Sequence, residues 1–270
     1  MTRADELALA PRLKIKRAKH HINDLSAQID AFMAKKPFKM FSIFDPANDR
    51  VALRTKAEIP IPPEFAVIAG DAIHNLRSAL DLTIYAFAKD TAANRERIAF
   101  PFSKTEEGLK GAIPNAQVQF AGKKVVEAVT ALKPYPDGNE LLSSVHELDI
   151  RDKHRLLLLS RRVPKISADL LGKGGLPFVG PGIFIFQTPE DEDLIVINRC
   201  FGTVGQRINL ILSRPTPWEE ETEVQPTFDI SLAEALPLDV GPLVAALRIC
   251  ADAVDEAVGL LIEAFLDPDN

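Results

Sequence analysis

Four stretches of this chain repeat apolar residues every three or four positions, and that spacing commits them to long amphipathic helices. In the first, about residues 4–35, Ile15, Ala18, Ile22, Leu25, Ile29 and Phe32 form one narrow seam, the pattern of a helix that buries one side. Pro11 lies near its start and Pro37 closes it, so its first turns are expected to be separate or kinked. A second helix is predicted over 64–89, after Pro60, Pro62 and Pro63. A third is predicted over 140–162, with Leu141, Leu142, Val145, Leu148, Leu156 and Leu159 as its apolar stripe. The last runs over about 240–266 on Leu243, Leu247, Cys250, Val254, Val258, Leu261 and Phe265. A shorter helix is expected near 122–132.

Between these stretches the period changes from helical to alternating. Met40–Phe44 and Val51–Thr55 flank the turn-forming Asp45-Pro46-Ala47-Asn48-Asp49, which reads as a β-hairpin. After a Gly- and Pro-rich loop at 172–182, strand-like runs occupy 183–187, 194–199 and 206–213, with a fourth at 228–230. The loop's Gly172-Lys173-Gly174-Gly175 has neither phosphate-binding spacing nor a preceding strand, so it reads as a plain connection. The expected fold class is α+β. A bundle of long amphipathic helices would carry an N-terminal β-hairpin and a small antiparallel sheet inserted before the C-terminal helix. Residues 1–270 are read as a single domain, with a helical core of 1–36, 64–162 and 240–267 and β-rich parts at 38–57 and 183–232.

Composition removes several function classes. A formal net charge of −6 argues against broad nonspecific affinity for nucleic acid, while leaving room for a local basic patch. Lys14, Lys16, Arg17, Lys19, His20 and His21 supply such a patch on the first helix, and its simplest reading is a solvated face. No segment approaches the roughly 20 apolar residues of a membrane span. Met1 to Glu6 lead into a charged stretch, so no secretory signal is expected. Cys200 and Cys250 lie outside any CxxC or CxxH pattern, which fits a reducing cytoplasm and no zinc site.

The 64–89 helix has two faces. Phe65, Ile68, Ala72, Ile73, Leu76, Ala79, Leu80, Thr83 and Phe87 fall on the core side. Asp71, His74, Ser78, Asp81 and Tyr85 recur at spacings of three and four on the other, with Arg77 at its edge and Asn75 near the boundary. Solvated helix faces usually carry Glu, Lys, Gln and Arg; this one carries short groups that hold hydrogen bonds in fixed geometry. Gly70 and Ala88 are small enough to admit a ligand or another helix. The bland alternative is that these residues cross-link neighbouring helices.

A second polar run, His146-Glu147-Leu148-Asp149-Ile150-Arg151-Asp152-Lys153-His154-Arg155, lies on the 140–162 helix. By helical rotation Asp152 falls inside the apolar stripe, with Asp149 and Arg155 at its borders. A lone buried carboxylate is costly unless paired, so Asp152 is expected to face a cation, Arg77 or Arg155. The 64–89 and 140–162 helices are therefore expected to be neighbours. Leu156–Leu159, apolar all round, are expected to make the latter part of that helix central.

The run Asp71-x-x-His74-Asn75-x-Arg77-Ser78-Ala79-Leu80-Asp81, with Asp152-Lys153-His154-Arg155, resembles a family of bacterial proteins of uncharacterised function. The resemblance implies the same N-terminal helix, hairpin and order of helices and strands over most of the chain, and it names no activity. The chain is more loosely similar to HEPN-type helical ribonucleases, whose signature sets four to six residues between Arg and His. Here two residues separate Arg151 from His154 and three separate Arg17 from His21, so that signature is missing.

The first functional expectation is a ligand-binding or hydrolytic site between the 64–89 and 140–162 helices. His74 would be the acid/base or ligand, Asp71 and Asp81 its orienting carboxylates, and Arg77 an anion contact. Asn75, Ser78, Tyr85, Asp152, His154 and Arg155 complete the candidate binding set for a small polar or anionic ligand. Asp71, His74 and Asp81 have the chemistry of a divalent-metal site, though without ExxH or HxxxH spacing. Ser78, His74 and Asp81 contain the members of a Ser-His-Asp triad, without a nucleophile elbow. The second expectation is a non-enzymatic interaction protein forming a helical homodimer. The third is a divergent RNA-processing enzyme. The sequence names no cofactor.

Overall fold

The structure is a computed structural model, which describes residues 3–45, 50–165, 187–188, 191–195, 198–200, 207–209, 222–224, 227–232 and 241–270. The chain forms two compact units. One comprises 1–29, 62–159 and 232–270; the other comprises 30–61 and 160–231. The helical parts of the sequence fall mainly in the first and the β-rich parts mainly in the second.

In the helical unit, α1 (Arg3–Met33) runs continuously through Pro11. It is followed by α2 (Glu64–Ala88), α3 (Glu106–Asn115), α4 (Lys123–Leu132), α5 (Glu140–His154) and α6 (Leu243–Leu266). The three-four seams become the core: Ile15, Ile22 and Leu25 of α1, Ile73, Leu76 and Leu80 of α2, Leu142 and Leu148 of α5, and Leu243, Val254 and Leu261 of α6 are all buried. α2 packs against both α5 and α6, and α4 and α5 also contact α6. The Phe87 and Phe265 rings stack at 4.2 Å across the α2–α6 contact. Among the described residues no helix is long and apolar enough to cross a membrane.

Polar side chains set the helix ends. Asn139 Oδ1 accepts from Leu142 N at 3.1 Å to cap α5, and Thr105 Oγ1 accepts from Gly108 N at 3.1 Å to cap α3. The first amides of α4 are capped from a distance: Asn270 Oδ1 accepts from Lys124 N at 2.9 Å, while its Nδ2 donates to Ala121 O at 3.0 Å.

The expected 140–162 helix is too long. α5 stops at His154, and Arg155 is extended at φ −163, ψ 156. Leu156 is 50% exposed, Leu157 3% and Leu158 52%; this is the period of two of an extended chain, and it leads into β3 (Leu159–Lys165). Arg151, Lys153 and His154 fill the last helical turn, where cations suit the carbonyl end of the helix dipole. Arg155 and the four leucines therefore lie beyond the helix, and the leucines are not its central part.

In the second unit β1 (Phe38–Asp45) and β2 (Arg50–Ala57) pair antiparallel from Phe38↔Ala57 to Asp45↔Arg50; residues 46–49 lie outside the described residues. These strands belong to a five-stranded sheet of order β4-β5-β2-β1-β8, where β4 is Gln187–Thr188, β5 Asp191–Ile195 and β8 Thr222–Val224. An unpaired hairpin leaves both edges as open templates, and here β5 and β8 cover them. β6 (Asn198–Cys200) pairs with β7 (Arg207–Asn209), and β3 pairs with β9 (Thr227–Leu232). The expected run at 194–199 is thus split, since Ile195 and Asn198 enter different sheets. The loop at 172–182 and the rest of the predicted runs at 183–186, 196–197, 206 and 210–213 lie outside the described residues.

Candidate functional site

Three side chains line up across the α2–α5 contact of the helical unit. His74 and Ser78 are one turn apart on α2, so both project from the same face. Ser78 Oγ lies 3.5 Å from His74 Nε2. On the other side of the ring, His74 Nδ1 lies 2.9 Å from Asp149 Oδ1 on α5. The Asp149 side chain is 3% exposed and the His74 side chain 53%. A carboxylate can only accept, so this contact places the neutral ring's proton on Nδ1 and its lone pair on Nε2, toward Ser78. Lys153, one turn further along α5, reaches the other carboxylate oxygen with Nζ at 2.6 Å. The buried charge of Asp149 is therefore met from both sides, as burial requires.

Asp152 lies one turn along α5 from Asp149. It is half-buried, and its carboxyl group rests on α2 at Gly70, where any Cβ would overlap it. Burial pushes its pKa above the usual carboxylate range, and the neighbouring Asp71 and Asp149 push the same way against an opposing effect of His74. The expected Arg77–Asp152 pair does not form. Arg77 instead pairs with Asp81, one turn away on its own helix, and donates from Nη2 to Phe100 O at 3.2 Å. The one-turn spacing on α2 lets Arg77 reach Asp81 without crossing to α5. Asp81 also accepts from Phe100 N at 2.8 Å. Together they tie the segment after Ile98 to α2.

The same segment continues the cluster. The Arg77 guanidinium sits 4.7 Å above the Phe102 ring, and Phe102 stacks on His146 at 4.3 Å with the planes 2° apart. His146 Nδ1 is buried, with no hydrogen-bond partner among the described residues. Burial, and after it the Arg77 charge, lowers the His146 pKa to about 4, so the ring is neutral at pH 7 and packs as an aromatic.

The structure thus brings His74 and Ser78 together, with Asp149 as the carboxylate hydrogen-bonded to the ring; Asp81 is engaged elsewhere. Asp71 is exposed, and its backbone carbonyl accepts from Asn75 Nδ2 at 2.7 Å. Tyr85 is exposed on the same face, and His154 is exposed at the end of α5. Asp71, His74 and Asp81 do not make a metal centre: among the described residues no group of three or more His, Cys, Asp or Glu is placed to hold an ion. Cys250 offers no nucleophile either, because burial pushes its thiol up to about 12. Sequence reasoning missed Asp149, Lys153 and the Phe102–His146 stack as site elements. The signal for Asp149 was present, since Leu142, Val145 and Asp149 recur at three and four on the buried side of α5.

No protein-family model, no curated protein and no solved structure matches the chain.

Proposed function

We propose that the α2–α5 contact holds a hydrolytic site in which Ser78 is the nucleophile, His74 its general base and Asp149 the group that orients and charges the base. The observation that carries this reading is the unbroken order Ser78 Oγ, His74 Nε2, His74 Nδ1, Asp149 Oδ1, with separations of 3.5 Å and 2.9 Å. It is the arrangement by which a buried carboxylate fixes the tautomer of a histidine and stabilises its imidazolium form while a hydroxyl loses its proton. As Ser78 Oγ attacks an acyl or phosphoryl centre, its proton passes to His74 Nε2. The 3.5 Å gap must close when substrate binds, a tightening that hydrolytic sites commonly need.

A second reading is structural, and Lys153 favours it. Its ammonium already meets Asp149 at 2.6 Å, so Lys153, Asp149 and His74 also make a satisfied staple between two helices. An alkyl fluorophosphonate, which phosphonylates activated serines, separates the two. The hydrolytic reading expects an adduct on Ser78 in wild type by peptide mass spectrometry. The adduct should be absent in Ser78→Ala and at least ten-fold slower to form in His74→Ala. Wild type without an adduct at Ser78, and a His74→Ala variant destabilised by about 1–3 kcal/mol through its unsatisfied partner, would establish the staple instead.

A further inference from the structure

The basic stretch of α1 has no task in the α2–α5 contact. From Leu7 to Asn23 there is no Asp or Glu, while Arg12, Lys14, Lys16, Arg17 and Lys19 all fall there, in a chain whose net charge is −6. Lys19 is neutralised by Asp252 and Asp255 of α6, at 3.3 and 3.0 Å. Among the described residues Arg12, Lys14, Lys16 and Arg17 pair with no acid, and Arg12, Lys16, Arg17 and His20 are exposed. Arg12 and Lys16 stand one turn apart, as do Lys14 and Arg17, and like charges at that spacing weaken a helix. An acid at position 9 or 13 would offset this, one turn before Arg12 or Arg17. Both positions hold leucine. Leu9 is 50% exposed and Leu13 57%, on the side of α1 opposite its buried Ile15, Ala18 and Ile22, and Leu13 is the most exposed large apolar side chain among the described residues.

We propose that this face of α1 docks on an anionic lipid surface. Leu9 and Leu13 enter the boundary between headgroups and acyl chains, and Arg12, Lys16 and Arg17 hold the anionic headgroups around them. Apolar side chains rimmed by Lys and Arg are what an interfacial helix presents to a bilayer. A phosphate polymer such as RNA would use the cations alone and leave both leucines in water. A solvated face would gain from an acid at either leucine position, and has none. Each cation near an anionic surface strengthens attachment by about five-fold, so the three exposed ones together contribute about 100-fold. The attachment is peripheral. α1 keeps its seam in the core of the helical unit, and among the described residues no helix is long and apolar enough to cross a membrane.

Co-sedimentation of the full chain with phosphatidylcholine vesicles, with and without phosphatidylserine, tests this. Wild type should bind the vesicles that contain phosphatidylserine about 100-fold more tightly than those without it, and added salt should weaken that binding. This comparison needs no variant. Replacing Arg12, Lys16 and Arg17 together by Gln should remove the preference for phosphatidylserine. Leu9→Ser combined with Leu13→Ser should weaken vesicle binding by about ten-fold or more through the lost apolar burial, and should leave binding to polyuridylate RNA unchanged. All five side chains are exposed, so both variants should keep the wild-type circular dichroism spectrum and melt. Wild type that ignores phosphatidylserine would overturn the lipid surface as partner. So would vesicle binding that the leucine variant leaves intact, or RNA binding tighter than vesicle binding.

Discussion

Removing Asp149 should loosen the α2–α5 contact by an amount that the geometry bounds. Its carboxylate accepts from His74 Nδ1 at 2.9 Å and from Lys153 Nζ at 2.6 Å. Hydrogen bonds to charged groups contribute about 1.5–3 kcal/mol each. Both partners are about half exposed, so each regains water once Asp149 is gone and much of that contribution is returned. Relief from burying a carboxylate, several kcal/mol by itself, works in the same direction. What remains is a net loss of about 2 kcal/mol for Asp149→Ala, and about 1 kcal/mol for Asp149→Asn, which keeps the volume and one acceptor. Urea unfolding at pH 7, followed by far-UV circular dichroism, measures both. A double-mutant cycle between Asp149→Ala and His74→Ala should give a coupling of about 1 kcal/mol, since the two are in contact. A variant as stable as wild type, with coupling near zero, would refute the claim that this carboxylate joins the helices.

Arg77→Ala should destabilise by about 2 kcal/mol, because it strips Asp81 and Phe100 O of a largely buried donor; fluorophosphonate labelling of Ser78 should persist, and its loss would return Arg77 to the site. His146 has its pKa lowered to about 4, so the folded state binds fewer protons than the unfolded state between about pH 6.5 and pH 4. Stability should therefore fall as pH drops through that window, by about 1–2 kcal/mol after discounting for partial exposure, and His146→Phe should flatten that part of the profile. Asn270→Ala removes the acceptor for Lys124 N and Val125 N and should cost about 1 kcal/mol, the usual effect of losing an N-cap side chain; an unchanged melt would show that water replaces it fully.

The helices were legible because burial on one side imposes a three-four period, and the seams of α1, α2 and α6 are the buried faces. The polar stripe of α2 was legible for the same reason, and it does contain His74 and Ser78. The failures have separate physical causes. Leu156–Leu159 carry no period, so a helix and a half-buried extended chain looked alike there until the chain turned extended at Arg155. Asp149 and Asp152 differ by 60° in helical phase, and placing the wrong one at the centre of the stripe sent the search for a cation to Arg77. The partners of β1 and β2 lie more than 130 residues away in β5 and β8, and no local pattern encodes such pairing. The Phe102–His146 stack joins an irregular segment to a helix, where no repeat points to it.

The central claim is that Asp149 fixes the His74 proton on Nδ1 and leaves Nε2 free to act as the base for Ser78. Two-bond nitrogen–proton correlation spectra of the protein, with the imidazole neutral, read that tautomer directly. His74 should show a protonated Nδ1 and an unprotonated Nε2, with the population shifting toward the Nε2–H form in Asp149→Asn. A His74 that carries its proton on Nε2 in wild type, or whose tautomer is the same in both proteins, would contradict it.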